Sequence, residues 1–142
     1  MATTYALEVS PQYATPPGKS PGTVQGGRMR RWRATIALAA QPSADVVVLA
    51  NVPAGHTFAY GILTGSVSLG TSTAAIGVAG TPAKYRAAAV NTAVDTPLVF
   101  GPAAAIAMDP LGTTGEQVIL TIGAAALPGA GTLVVDLYYS AP

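Results

Sequence analysis

The sequence has no cysteine, one histidine (His56), one tryptophan (Trp32) and a charged fraction of only 9%. Without cysteine, thiol catalysis, a disulfide scaffold and Cys-ligated zinc are excluded together, and the redox compartment stays open. One histidine rules out a multi-histidine metal site. Soluble domains ordinarily carry about a quarter charged residues, so a chain with 7 basic and 6 acidic residues raises the question of how it stays in solution. Its net charge of +1 provides no global attraction to nucleic acid or to an anionic membrane. Only a local cluster can supply one.

Small residues fill the space that charge leaves. The 142 residues are 50% apolar by a broad count, with 16 Gly and 12 Pro, and the mean hydropathy of +0.44 reflects alanine and valine rather than large side chains. That length allows one domain whose core needs no disulfide or metal. The first residues, MATTYALE, lack the basic and apolar regions of a secretory signal. No export is implied, and synthesis in the cytoplasm is expected. The charge-free run 117–135 is almost long enough to span a bilayer, but Pro128, Gly129 and Gly131 interrupt it and its flanks alternate with period two. It reads as two strands joined by a turn, with no membrane role.

Residues 1–27 differ from the rest. Pro11, Pro16, Pro17 and Pro21, with Gly18, Gly22, Gly26 and Gly27, exclude a helix and make a poor ladder strand. The segment is expected to be an extended N-terminal arm, reaching at most about 90 Å at about 3.3 Å per residue. A disordered terminus is the bland alternative. Tyr5, Leu7, Val9, Tyr13 and Val24 are spaced along it, however, and argue for an arm that orders on a partner surface.

Residues 28–142 are expected to form the β-sandwich domain, with a strand-like signal from Arg31 onward. Trp32, Ala34, Ile36 and Leu38 share one face while Arg33 and Thr35 point the other way. Further extended segments are expected at 45–50, 57–69, 73–78, 83–90, 97–100, 117–122 and 132–139, with Gly/Pro turns between them. Segment 102–108 admits one short helical turn. About eight short strands without an amphipathic helix predict an all-β fold, a jelly-roll-like β-sandwich.

Candidate chemistry is sparse. The sharpest feature is GGRMRRWR (26–33), four arginines around Trp32 where the arm meets the domain. One reading is phosphate contact with base stacking. The other is a strand start with Trp32 in the core and arginines at a protein interface, where the planar guanidinium meets carboxylates and carbonyls. With a near-neutral total, nucleic acid ranks second. His56 follows a turn and has no acidic neighbour. Around Ser72 the sequence approaches a nucleophile elbow but lacks its last glycine, and reads as a turn. The six acids Glu8, Asp45, Asp95, Asp109, Glu116 and Asp136 are dispersed. Lys84 and Arg86 form a small basic stripe that could pair with Asp95, and of Tyr138 and Tyr139 one is expected in the core and the other on a surface or interface. No enzyme activity, cofactor or metal is expected.

The Gly/Pro arm, the junction GGRMRRWRATIALA (26–39), the central KYRAAAVNTAVDTP (84–97) and the closing LPGAGTLVVDLYYSAP (127–142) resemble the small Ala/Gly/Thr-rich head decoration, or cement, proteins of tailed bacteriophages. Other virion components, including minor capsid and tail proteins, share the look. The resemblance implies a jelly-roll-like domain assembling as homo-trimers on an expanded capsid, its arm clamping neighbouring major capsid protein subunits. By position, Tyr5, Leu7, Val9 and Tyr13 of the arm and Arg28, Arg30, Arg31 and Arg33 of the junction would contact the shell. The competing readings are a nucleic-acid-binding module built on the arginines and a receptor- or carbohydrate-binding β domain of the virion.

Overall fold

The structure is a computed structural model that describes residues 4–7, 9–20, 22–23 and 25–141. Glu8, Pro21 and Val24, weighed above, lie outside the described residues. Eight strands follow in chain order: β1 (Arg28–Ala37), β2 (Val46–Val52), β3 (Thr57–Gly65), β4 (Thr73–Val78), β5 (Thr81–Val90), β6 (Leu98–Phe100), β7 (Glu116–Gly123) and β8 (Thr132–Ala141). A single helical turn, α1 (Ala103–Ile106), sits between β6 and β7, within the alanine run that admitted either a helical turn or a loop. The expected strand from 57 to 69 ends earlier, at Gly65. There the loop after β5 crosses it, with a bridge to Val94 and an Asp95 amide donating to the Gly65 carbonyl at 2.8 Å. No helix among the described residues is long and apolar enough to cross a membrane, and the 117–135 run divides into β7, a connection and β8.

The strands pair antiparallel as β1 with β8, β2 with β7, β3 with β6 and β4 with β5. Such nesting is what results when one long antiparallel ribbon folds over on itself. Cross-links β8 to β3 and β7 to β4 then gather the pairs into two four-stranded sheets, β1-β8-β3-β6 and β2-β7-β4-β5. This is the eight-stranded jelly roll.

Alternation places the core between the sheets. On β8, Leu133, Val135, Leu137 and Tyr139 are buried, and they meet Val118, Leu120 and Ile122 of β7 and Ile76 of β4 in one cluster. Trp32, Ala34 and Ile36 turn inward from β1 as their spacing requires. Gly61 on β3 is needed for space: a Cβ there would overlap the ring of Phe100 on β6.

One ionic group bridges the sheets. The Glu116 carboxylate accepts hydrogen bonds from the hydroxyls of Tyr85 (β5) and Tyr139 (β8), the latter at 3.2 Å, and pairs with the Lys84 ammonium. Burial first, then the charge of Glu116, pushes the Tyr139 phenol well above its ordinary value, so it remains a donor. Phe58, Tyr85, Tyr139 and Trp32 surround this group with ring contacts.

The expected stripe of Lys84 and Arg86 facing Asp95 is corrected. Lys84 binds Glu116 instead, and Arg86 is buried, its guanidinium donating to the carbonyls of Ala74, Ala89 and Val90. Register shifts in the pairing of β4 with β5 break the alternation on which that expectation rested.

Replacing Glu116 by alanine strands two buried hydroxyls and the half-buried Lys84 ammonium and should cost about 2–4 kcal/mol. Glu116→Gln keeps an acceptor in place and should cost clearly less. Urea unfolding of both variants checks this, and equal losses would contradict a bridging role for the carboxylate.

Candidate assembly surface

The arginine junction is part of β1 itself rather than a loop before it. In the register with β8, Arg33 lies opposite Asp136 and Arg31 opposite Tyr138, on the outer side of the sheet. Arg33 donates from Nε to Oδ1 and from Nη2 to Oδ2 of Asp136, both at 2.8 Å, and Arg31 Nε stands 3.9 Å from Oδ1. This fork holds Asp136 below the ordinary carboxylate value, chiefly through the Arg33 hydrogen bonds, and raises Arg33 in turn.

The same face continues across β3 and β6. Tyr138 stacks on Tyr60 at 4.6 Å and 18°, Ile62 lies opposite Asp136, and Val99 of β6 lies opposite Ile62 and is 64% exposed. Cationic groups at the β1 edge thus grade into an aromatic and aliphatic surface. Arg28 and Arg30 are exposed and make no ion pair among the described residues. Arg30 borders an open cleft with Trp32, Pro53, His56 and Ala141. His56 Nδ1 lies 3.1 Å from the Pro53 carbonyl, which only accepts, so Nδ1 carries the proton; its ring meets Trp32 edge-on at 5.3 Å.

On the opposite outer face the described strand residues present no charge. Strands β2, β4, β5 and β7 contain only Lys84, Arg86 and Glu116 as charged residues: Lys84 and Glu116 pair in the bridge, and Arg86 is buried against backbone carbonyls of its own sheet. Val46 and Val48 are each 52% exposed on that face.

The arm is more compact than an extended ribbon. Residues Ser10–Tyr13 form a 3₁₀ turn, contrary to the expectation that prolines exclude any helix. Pro11 occupies the first turn, where its missing N–H removes no bond. Tyr5 stacks on Tyr13 at 4.2 Å and 15°, and the Gly18 amide donates to the Pro11 carbonyl at 2.7 Å. Leu7 is 87% exposed and Val9 is partly covered. At the arm's root the Ser140 hydroxyl donates to the Thr23 carbonyl, tethering it to β8.

No protein-family model and no curated protein sequence matches the chain. Among solved structures, it is similar to a chain of the capsid asymmetric unit of cyanophage Pam1, with a TM-score of 0.63, 19% identity and coverage of 87% of this chain and 91% of that one. A chain of the capsid of Ralstonia phage GP4 gives a TM-score of 0.65 and 19% identity over 82% of this chain and 86% of that one. At these identities the likeness establishes a shared fold.

The structure thus joins Tyr5 to Tyr13, and Arg31 and Arg33 to Asp136, but no hydrogen bond or ion pair among the described residues links the arm's apolar side chains to the arginines. The sequence reading missed the Tyr60–Tyr138 stack, which needs the cross-strand register to be seen. It anticipated that Tyr138 and Tyr139 part, and Tyr139 is the buried one. Ser72, weighed as an elbow serine, is fully buried with its hydroxyl directed at the Ala125 and Ala126 carbonyls.

Because the folded Asp136 value is depressed, its contribution to stability is present above the ordinary carboxylate value of 3.8 and is lost as pH falls through the lowered folded value. Asp136→Asn should therefore lower the thermal midpoint at neutral pH, with the two curves converging in strong acid. A gap that stayed constant with pH would contradict the ionic origin.

Proposed function

We propose that this chain is a structural virion protein that decorates and stabilises a phage capsid, binding major capsid protein subunits through its N-terminal arm and the base of its domain. The observation that carries the reading is the jelly roll aligned along most of both chains with components of two phage capsid assemblies. Its surface chemistry supports the same reading. A charge-free outer face with exposed Val46 and Val48 is poorly suited to water and well suited to sister copies, in keeping with a homo-trimer. On the arm, Tyr5, Leu7 and Tyr13 present apolar surface beyond the sandwich.

A part of this kind acts by mass action. A clip that binds only the assembled lattice stabilises it in proportion to its occupancy, and three arms on one trimer raise one another's effective concentration. The nucleic-acid reading is weaker, because Asp136 already engages Arg31 and Arg33.

Native mass measurement should give three copies, and removal of residues 1–27 should abolish co-sedimentation with mature capsids while leaving the strand signature of the circular dichroism spectrum intact. Capsid attachment with unchanged affinity after truncation would overturn the clamp.

A further inference from the structure

The two sheets have four outer edges, and three are blunted against pairing. β6 has only three residues, β2 carries a register shift between Val48 and Ala50, and β5 has two shifts and Pro82. Short length, bulges and proline are the usual protections of an exposed edge. β1 has none of these three, and its protection against its own copies is the charge of its arginines. It runs for ten residues in unbroken register with β8, and its far side is unpaired. No backbone hydrogen bond among the described residues reaches that side of Arg28–Ala37. From Met29 to Thr35 every second residue there presents both a free N–H and a free C=O, while at the end of the strand the Ala37 carbonyl accepts from the Gln41 side-chain amide at 2.9 Å.

Charge defines what can use this edge. Four arginines lie on β1, and the acid that meets them is Asp136, shared by Arg31 and Arg33. Edge-to-edge pairing of two copies would set eight arginines together and is disfavoured. A nucleic-acid backbone supplies acceptors for the amides but leaves the carbonyls of the edge unmatched. An extended polypeptide satisfies both, and acidic side chains on it would meet Arg28 and Arg30 as well.

We infer that the free edge of β1 is a strand-addition site for an acidic, extended segment of a partner protein. Backbone pairing would supply affinity and the arginines orientation and choice of partner. This rests on the reading of the chain as an assembly component and names the kind of segment it takes. The open edge from Arg28 to Ile36, at about 3.3 Å per residue, would grip such a segment over about 30 Å.

The test uses the full chain and a capped, alternating glutamate–valine decapeptide, with residue-resolved amide exchange as the readout. Exchange should slow at alternate amides within residues 28–37. A backbone N-methylated version of the peptide, with the same charge but no ladder donors, should give no protection. In the exposed double variant Arg28→Glu, Arg30→Glu, affinity for the glutamate peptide should fall by about tenfold or more, and a lysine–valine peptide should bind instead. Absence of protection at millimolar peptide would overturn the inference. Equal binding of the N-methylated peptide, or equal protection by a DNA oligonucleotide, would overturn it too. Capsid co-sedimentation of the unmodified chain, run in parallel, separates the two claims: attachment without peptide pairing would sink strand addition alone, and no attachment would sink decoration.

Discussion

Strand β8 is held along both edges, and most of the molecule depends on that. One edge pairs with β1 over ten positions and the other with β3 over eight. Its inner side chains, from Leu133 to Tyr139, are the centre of the core. Its outer side chains set the surface: Asp136 fixes Arg31 and Arg33, and Tyr138 carries Tyr60. Tyr139 reaches Glu116 in the facing sheet, and Ser140 holds the root of the arm. Sheet, core, bridge and arm are therefore positioned by one element near the end of the chain, so that the ribbon must close before any of them is complete.

This arrangement divides rigidity from contact. Burying the few charges of the β2-β7-β4-β5 sheet in the Glu116 bridge and around Arg86 leaves an outer face of small apolar side chains, while the cations collect at the opposite edge. Buried ion pairs contribute little net stability and strongly favour a single arrangement when fully hydrogen-bonded. A low overall charge, which would burden an isolated monomer, suits a subunit covered by copies and a shell. The composition and the proposed role thus share one cause.

Much of this was legible in the linear pattern. Period-two alternation located the strands to within a few residues, because each buries one face only, and Gly/Pro turns separated them. The split of Tyr138 from Tyr139 followed from the same rule. What alternation cannot reveal is register. The partners of Lys84, Arg86 and Arg33 are set by which strands lie side by side and by bulges in β5, so Asp95 was the wrong partner for Lys84 and the Arg33–Asp136 fork was invisible. In the arm, proline was read only as a helix breaker. A 3₁₀ turn with Pro11 in its first turn, closed by stacked Tyr5 and Tyr13, uses the same residue as a starter.

The most direct measurement is a near-atomic density map of the assembled virion. Decoration requires the jelly roll outside the shell, the clamp places the arm over neighbouring major capsid protein subunits in three-fold clusters, and strand addition turns the arginine edge of β1 toward them. A chain absent from the capsid surface would contradict that role, and one attached with its arm free in solvent would contradict the clamp.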